Sequence, residues 1–185
     1  MINEVIQDAR DRMGKSEAAF EKELSKVRTG RASQSMLDSV KVDYYGTQTP
    51  LPQMATVSIP ESRLITVKPW DISVINEVEK AIFKANLGLT PSNDGKMIRI
   101  SIPPLTEERR KEIVKTVART CEDYKVAVRN IRRDANEMLK DMQKEGDISE
   151  DEFFSAQKQV QEYTDENIKK LDQLFAQKEK EILEV

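Results

Sequence analysis

Residues 117–142 read VARTCEDYKVAVRNIRRDANEMLKDM. Within them Val117, Cys121, Tyr124, Val128, Ile131, Ala135, Met138 and Met142 recur at alternating steps of four and three. That spacing predicts a heptad seam along one face of a long helix. Pro103 and Pro104 stand before it, Thr106 is a candidate N-cap, and Glu107 and Glu108 suit the positive end of the helix dipole. Gly146 is the C′ stop. About 40 residues at roughly 1.5 Å each make a rod of roughly 60 Å.

A second helix must follow at once. Ser149 and Glu152 have the spacing of a capping box, with Ile148 and Phe153 placed for a hydrophobic staple. Its stripe runs Phe153, Val160, Thr164, Ile168, Leu171, Phe175, Ile182. A loop this short makes the two helices antiparallel neighbours. Near the N-terminus, Ile6, Ala9, Met13, Phe20, Leu24 and Val27 form a third stripe, which is expected to stop at Thr29–Gly30. Three such stripes make a three-helix bundle.

Residues 31–103 change character. Val40, Val42 and Tyr44 alternate before a turn at Gly46, MATVSI and RLITVK are β-rich, and Ile98, Ile100 and Ile102 alternate again. Residues 72–87 are expected to be helical, with Leu87–Gly88 as the stop, and Ser92-Asn93-Asp94-Gly95 a turn. The reading is α+β: residues 1–30 plus 104–185 form the bundle, and 31–103 form an inserted small β/α/β domain. Thr29, Gly30, Arg31, Pro103 and Pro104 form a two-strand hinge between them. Trp70 is expected to pack in the core of the insert.

Composition narrows the function. The chain has 185 residues, 34% of them charged and 38% hydrophobic, and no histidine. Lacking histidine, it lacks the commonest general base and metal ligand. Its glycines are too scattered for a phosphate loop, so it is expected to be no enzyme and to carry no cofactor. No apolar run approaches the ~20 residues of a membrane span. The N-terminus MINEVIQDARDRM has acids and no apolar core, so no export signal is expected, and the single Cys121 fits a reducing cytoplasm.

The charge is unevenly spread. Residues 104–145 carry 11 cations and 9 acids, whereas 146–185 carry 5 and 11. At about 100° per residue, Lys125, Arg129, Arg132 and Arg133 fall within about 100° of arc, off the seam. Clustered like charges repel along a helix. Arginine forks fit phosphate, so the strip reads as a candidate contact to a polyanion. The alternative is a solvated face balanced by the acidic helix that follows. Arg28 and Arg31 form a second cluster at the hinge. A net charge of −3 argues against coating nucleic acid, but allows docking on one RNA surface through a local patch.

The segments KVRTGRAS, VDYYGTQTPL, PPLTEERRKE, KVAVRNIRRDAN and ISEDE, in this order, resemble the bacterial ribosome recycling factor family along the whole chain. The resemblance implies an L-shaped monomer of two domains. It implies docking on ribosomal RNA of the large ribosomal subunit through Arg28, Arg31, Arg129, Arg132 and Arg133, with Lys125 on the same strip. It further implies splitting of the post-termination ribosome with elongation factor G and GTP, release of mRNA and tRNA, and a swing of the small domain at the hinge. The rival readings are a coiled-coil chaperone or adaptor, and a polymerase-type coiled coil holding a metal at Asp147, Glu150, Asp151 and Glu152. Capping explains Glu152 more simply.

Overall fold

In the computed structural model, which describes residues 1–184, the chain runs α1 (Ile2–Ser25), β1 (Lys41–Tyr44), β2 (Thr47–Pro50), β3 (Ala55–Glu61), β4 (Leu64–Pro69), α2 (Ile75–Lys84), β5 (Thr90–Asn93), β6 (Ile98–Ser101), α3 (Glu107–Lys144) and α4 (Glu150–Leu183). It divides into two units, one of Met1–Val27 with the chain from Glu107 on, the other Arg28–Thr106. Thr29, Gly30, Arg31, Pro103 and Pro104 therefore all fall within the second unit. No described helix is long and apolar enough to cross a membrane.

The first unit is a three-helix bundle. Its core takes Ile6, Met13, Phe20 and Leu24 from α1, Val117, Cys121, Val128, Ile131 and Leu139 from α3, and Val160, Leu171 and Ile182 from α4. The α3 seam departs from a strict heptad. Met138 is 52% exposed, and Leu139 is fully buried in its place. A helix of 3.6 residues per turn drifts against a 3.5-residue repeat, so the buried position slips by one after several turns. The α4 stripe slips in the opposite sense: Asn167 is buried one position before Ile168, which is only half-buried.

The ends of α3 and α4 obey local chemistry. Gly146 takes φ +83, its N–H donates to the Gln143 carbonyl, and the Asp147 N–H donates to the Met142 carbonyl. That is a Schellman stop. The capping box forms as expected: the Ser149 N–H donates to Glu152 Oε2 at 2.7 Å, and the Glu152 N–H donates to Ser149 Oγ at 3.2 Å. α1 ends at Ser25, short of the expected stop at Thr29–Gly30. The Ser25 hydroxyl donates to the Lys22 carbonyl, and the Lys26 and Val27 N–H groups make tight i−3 bonds. The last turn is thereby overwound and the helix closes.

The second unit holds a four-stranded antiparallel sheet of order β3-β4-β6-β5 and a β1-β2 hairpin. Ile65 pairs with Ile100 and Val67 with Ile98, and all four are fully buried. α2 adds Ile75, Val78 and Ile82 to this core. β2 and β5 lack alternating apolar residues and are invisible to periodicity; ladder pairing alone defines them. Ser92 and Asn93, expected in a turn, belong to β5 for that reason. A three-residue 3₁₀ turn precedes α2, which stops at Lys84 because Asn86, not Gly88, takes the left-handed C′ position at φ +50. Trp70 departs from the core position expected of it. It is 66% exposed, and its indole N–H donates to Thr56 Oγ1 at 3.0 Å.

The turn after β5 is built on Asp94. Its carboxylate accepts the N–H groups of Met97 and Lys96, each at 2.9 Å, and the Arg99 guanidinium at 2.6 Å. These bonds, the backbone pair first, hold its pKa at about 2, below the ordinary 3.8. A carboxylate depressed on folding contributes stability above the unfolded pKa and loses it as pH falls through the folded one. The sheet unit is therefore expected to lose stability between about pH 4 and 2, and Asp94→Asn to flatten that loss. Trp70 is the single tryptophan, so its fluorescence during thermal melts at each pH follows this unit. An unchanged acid profile in the variant would count against the turn as the acid-sensitive element.

Candidate nucleic-acid interface

The seam of α3 decides which residues face inward, and so which remain for a partner. Lys125, Arg129, Arg132 and Arg133 all lie off it, and Lys125 and Arg132 reach side chains of α4. They differ in freedom. The Lys125 ammonium forms a tight ion pair with Asp172 of α4 and a longer one, 3.9 Å, with Glu122, and its side chain is 17% exposed. Its bond to the Asp172 carboxylate is the main reason its pKa is raised. Lys125 thus acts chiefly as an interhelical tie. Arg129 Nη1 lies 3.1 Å from Glu122 Oε1. Arg132 Nη1 donates to Gln161 Oε1 at 3.4 Å, a neutral partner that leaves its charge uncompensated. Arg133 is exposed and makes no ion pair among the described residues.

The three guanidiniums form a ladder along one face of α3, outside its buried seam. Planar forks with spare donors in that arrangement can grip phosphate oxygens bidentately. Glu122 and Asp172 screen Arg129 and Lys125, and neither pairs with Arg133. Asn136 belongs to the same arc, one turn further on, and its Oδ1 is buried with no hydrogen-bond partner. Its only signal in the sequence is its spacing of four from Arg132. Gln161 and Asp172 escape a sequence reading altogether, since they reach the strip from a different helix.

The residues expected to form a hinge are more tightly specified than their sequence implies. Arg28 Nη2 donates to the Leu87 carbonyl at 2.7 Å, so this arginine is committed within the sheet unit. Arg31 also has a partner. Gly30 sits at φ +77, and a Cβ there would lie 3.3 Å from Leu105 Cγ, so only glycine fits without strain. The Ala32 N–H donates to the Ser62 carbonyl and the Ile102 N–H to the Arg63 carbonyl, anchoring the chain on either side of the link.

The family model for the ribosome recycling factor matches residues 20–183. The chain belongs to the ribosome recycling factor family. The ribosome-recycling factor of Desulforapulum autotrophicum is 69% identical over the full length of both chains, and that of Desulfatibacillum aliphaticivorans is 64% identical, again over both lengths. A solution structure of the ribosome recycling factor superposes with a TM-score of 0.79 at 38% identity, covering 100% of this chain and 98% of its own. The T. thermophilus ribosome recycling factor, in a structure with the E. coli elongation factor G bound to the E. coli post-termination complex, superposes at 0.64 with 46% identity and 99% coverage of each chain. Membership accounts for both the bundle and the sheet unit. The arginine ladder and the left-handed Gly30 are features of this chain's own geometry.

Proposed function

We propose that the chain acts in the cytoplasm on the post-termination ribosome, as a monomer, and dissociates it into subunits together with elongation factor G. The chain performs no reaction itself; GTP hydrolysis belongs to the elongation factor. The observation that carries the reading is the ladder Arg129, Arg132 and Arg133, which stands off the seam of a member of this family; among the described residues only Arg129 meets an acid, Glu122, and Arg132 and Arg133 meet none. In this reading the ladder grips ribosomal RNA of the large subunit. Phosphates then relieve the repulsion that the clustered guanidiniums carry in the free protein. Lys125 supports the strip by tying α3 to α4. Arg28 and Arg31 shape the hinge ends, and any RNA contact they make is secondary to that.

Two links of chain, at 27–28 and 106–107, join two separately cored units. We assign to Thr29, Gly30, Arg31, Pro103 and Pro104 the role of a hinge through which the sheet unit moves when the GTPase acts.

Sedimentation with isolated large subunits at several salt concentrations tests the reading. Saturable binding that weakens with salt, and that is lost in Arg129→Ala/Arg132→Ala with helical circular dichroism unchanged, is the expected result. A folded natural chain that does not bind would sink it and bring forward the chaperone alternative.

A further inference from the structure

One face of the four-stranded sheet is turned to water. Ile65, Val67, Ile98 and Ile100 are buried in the core, so strand alternation turns their neighbours outward. On that outer face Thr56 pairs with Lys68, Ser58 with Thr66, and both Thr66 and Ser92 with Arg99. All of them are exposed except Thr66, which is half-buried.

Trp70 stands on the same face, two residues beyond Lys68. Its exposed ring is not free to turn. The indole N–H donates to Thr56 Oγ1 on the neighbouring strand, and the backbone N–H donates to the Met54 carbonyl. The first bond uses the ring's one polar group, so what remains for a partner is its π-surface. A ring already held in place loses little entropy when a partner docks on it. Lys68 meets no acid among the described residues. Arg99 gives one guanidinium nitrogen to Asp94 and keeps further N–H donors. The acid beside Trp70 is Asp71, which accepts from the hydroxyls of Tyr45 and Ser73. Glu61 lies at the far end of β3 from Thr56.

A face built to dock a protein gathers an apolar core of several side chains. Apart from Trp70 and the half-buried Leu64, these cross-strand rows hold hydroxyls and cations. One pinned aromatic ring among them matches an unpaired nucleic-acid strand, whose bases stack on aromatic rings and whose phosphates meet cations. We propose that the outer face of this sheet binds an unpaired RNA strand. Trp70 stacks on a base, Lys68 and Arg99 meet neighbouring phosphates, and the threonine and serine hydroxyls face the 2′-hydroxyls. The contact is separate from the arginine ladder of α3. The proposal deepens the ribosomal reading, on which it rests for the source of the RNA.

The single tryptophan makes its emission a reporter of this face alone. The full chain carrying Arg129→Ala/Arg132→Ala/Arg133→Ala, and so lacking the α3 ladder, is titrated with oligouridine, oligoadenosine and an RNA duplex of the same length. The expected result is saturable, salt-sensitive quenching by both single strands and none by the duplex. Lys68→Gln, which keeps the reporter, is expected to flatten the plot of log affinity against log salt by about 0.7. Trp70→Leu, followed by the anisotropy of labelled oligouridine, is expected to weaken binding roughly five- to a hundredfold, and Trp70→Phe to recover most of it. Absence of saturable quenching, equal quenching by the duplex, or full affinity in folded Trp70→Leu overturns the proposal. Binding of elongation factor G that Trp70→Leu abolishes, with no quenching by RNA, makes the face a protein contact and overturns it as well. With the ladder intact, weaker sedimentation of Trp70→Leu with large subunits assigns the strand to their ribosomal RNA. Unchanged sedimentation beside confirmed oligonucleotide binding assigns it to a strand outside that subunit, such as the message. Sedimentation of the natural chain stands or falls separately, so a failed sheet face and a failed ribosomal reading are told apart.

Discussion

Leu139→Ala is expected to destabilise the bundle by about 2–5 kcal/mol, while Met138→Ala changes it by no more than about 0.5 kcal/mol. The two residues are adjacent, similar in size and both apolar, so hydrophobicity cannot separate them. Burial does: Leu139 is fully enclosed and Met138 half-exposed. A strict heptad from Val117 would put Met138 inside. Across about three heptads a straight helix turns away from that repeat by roughly 60°, enough to bring the next residue to the seam. Removing the Leu139 side chain then leaves a cavity between three helices that cannot collapse around it. Urea unfolding followed by far-ultraviolet circular dichroism, a signal dominated by the bundle, measures both variants. Equal losses at the two positions would restore the heptad register and contradict the observed packing.

Arg129→Ala/Arg132→Ala/Arg133→Ala is expected to weaken large-subunit binding on the order of 10²–10⁴-fold, because three charge-assisted hydrogen-bonding groups disappear, each worth roughly 1–2 kcal/mol. It should also flatten the plot of log affinity against log salt by roughly 2–3 units. Lys125→Ala, on the same arc, is expected to behave differently. Its ammonium is already engaged by Asp172 and Glu122, so the salt slope should change little. It should instead cost the bundle up to about 1 kcal/mol, because Asp172 is half-exposed and water compensates it. The sign with pH follows from the raised Lys125 pKa: the tie is fully present below the unfolded value of 10.5 and is lost only as pH rises through the folded one. Glu122→Gln frees Arg129 and removes an acid from the strip, and is expected to tighten binding modestly. A Lys125 variant that flattened the salt slope as steeply as an arginine variant would refute this division of labour.

Much of the molecule is legible in its sequence because the signals are local. The capping box at Ser149, the glycine stop at Gly146 and the seams of α1, α3 and α4 each depend on spacings of a few residues, and periodicity reads those directly. The alternation Ile98-Arg99-Ile100 marks a strand for the same reason. The arginine ladder is legible too, since helical geometry places its residues on one face whatever lies opposite.

What escapes such a reading depends on partners far away in the chain. β2 and β5 exist because β1 and β6 offer them ladders, not because TQTP or TPSN favours a strand. Trp70 reads as core because tryptophan is large and apolar, but the packed sheet leaves no interior place for it, and Thr56 supplies a partner for its indole at the surface. Three long helices, an α+β insert and a cationic face off a seam each follow from residues within a turn or two of one another, so the order of amino acids is enough to specify them. Which cations are free is a matter of packing. Asp172 and Gln161 approach α3 from another helix, and a charge is available to a partner only when no such neighbour has already claimed it.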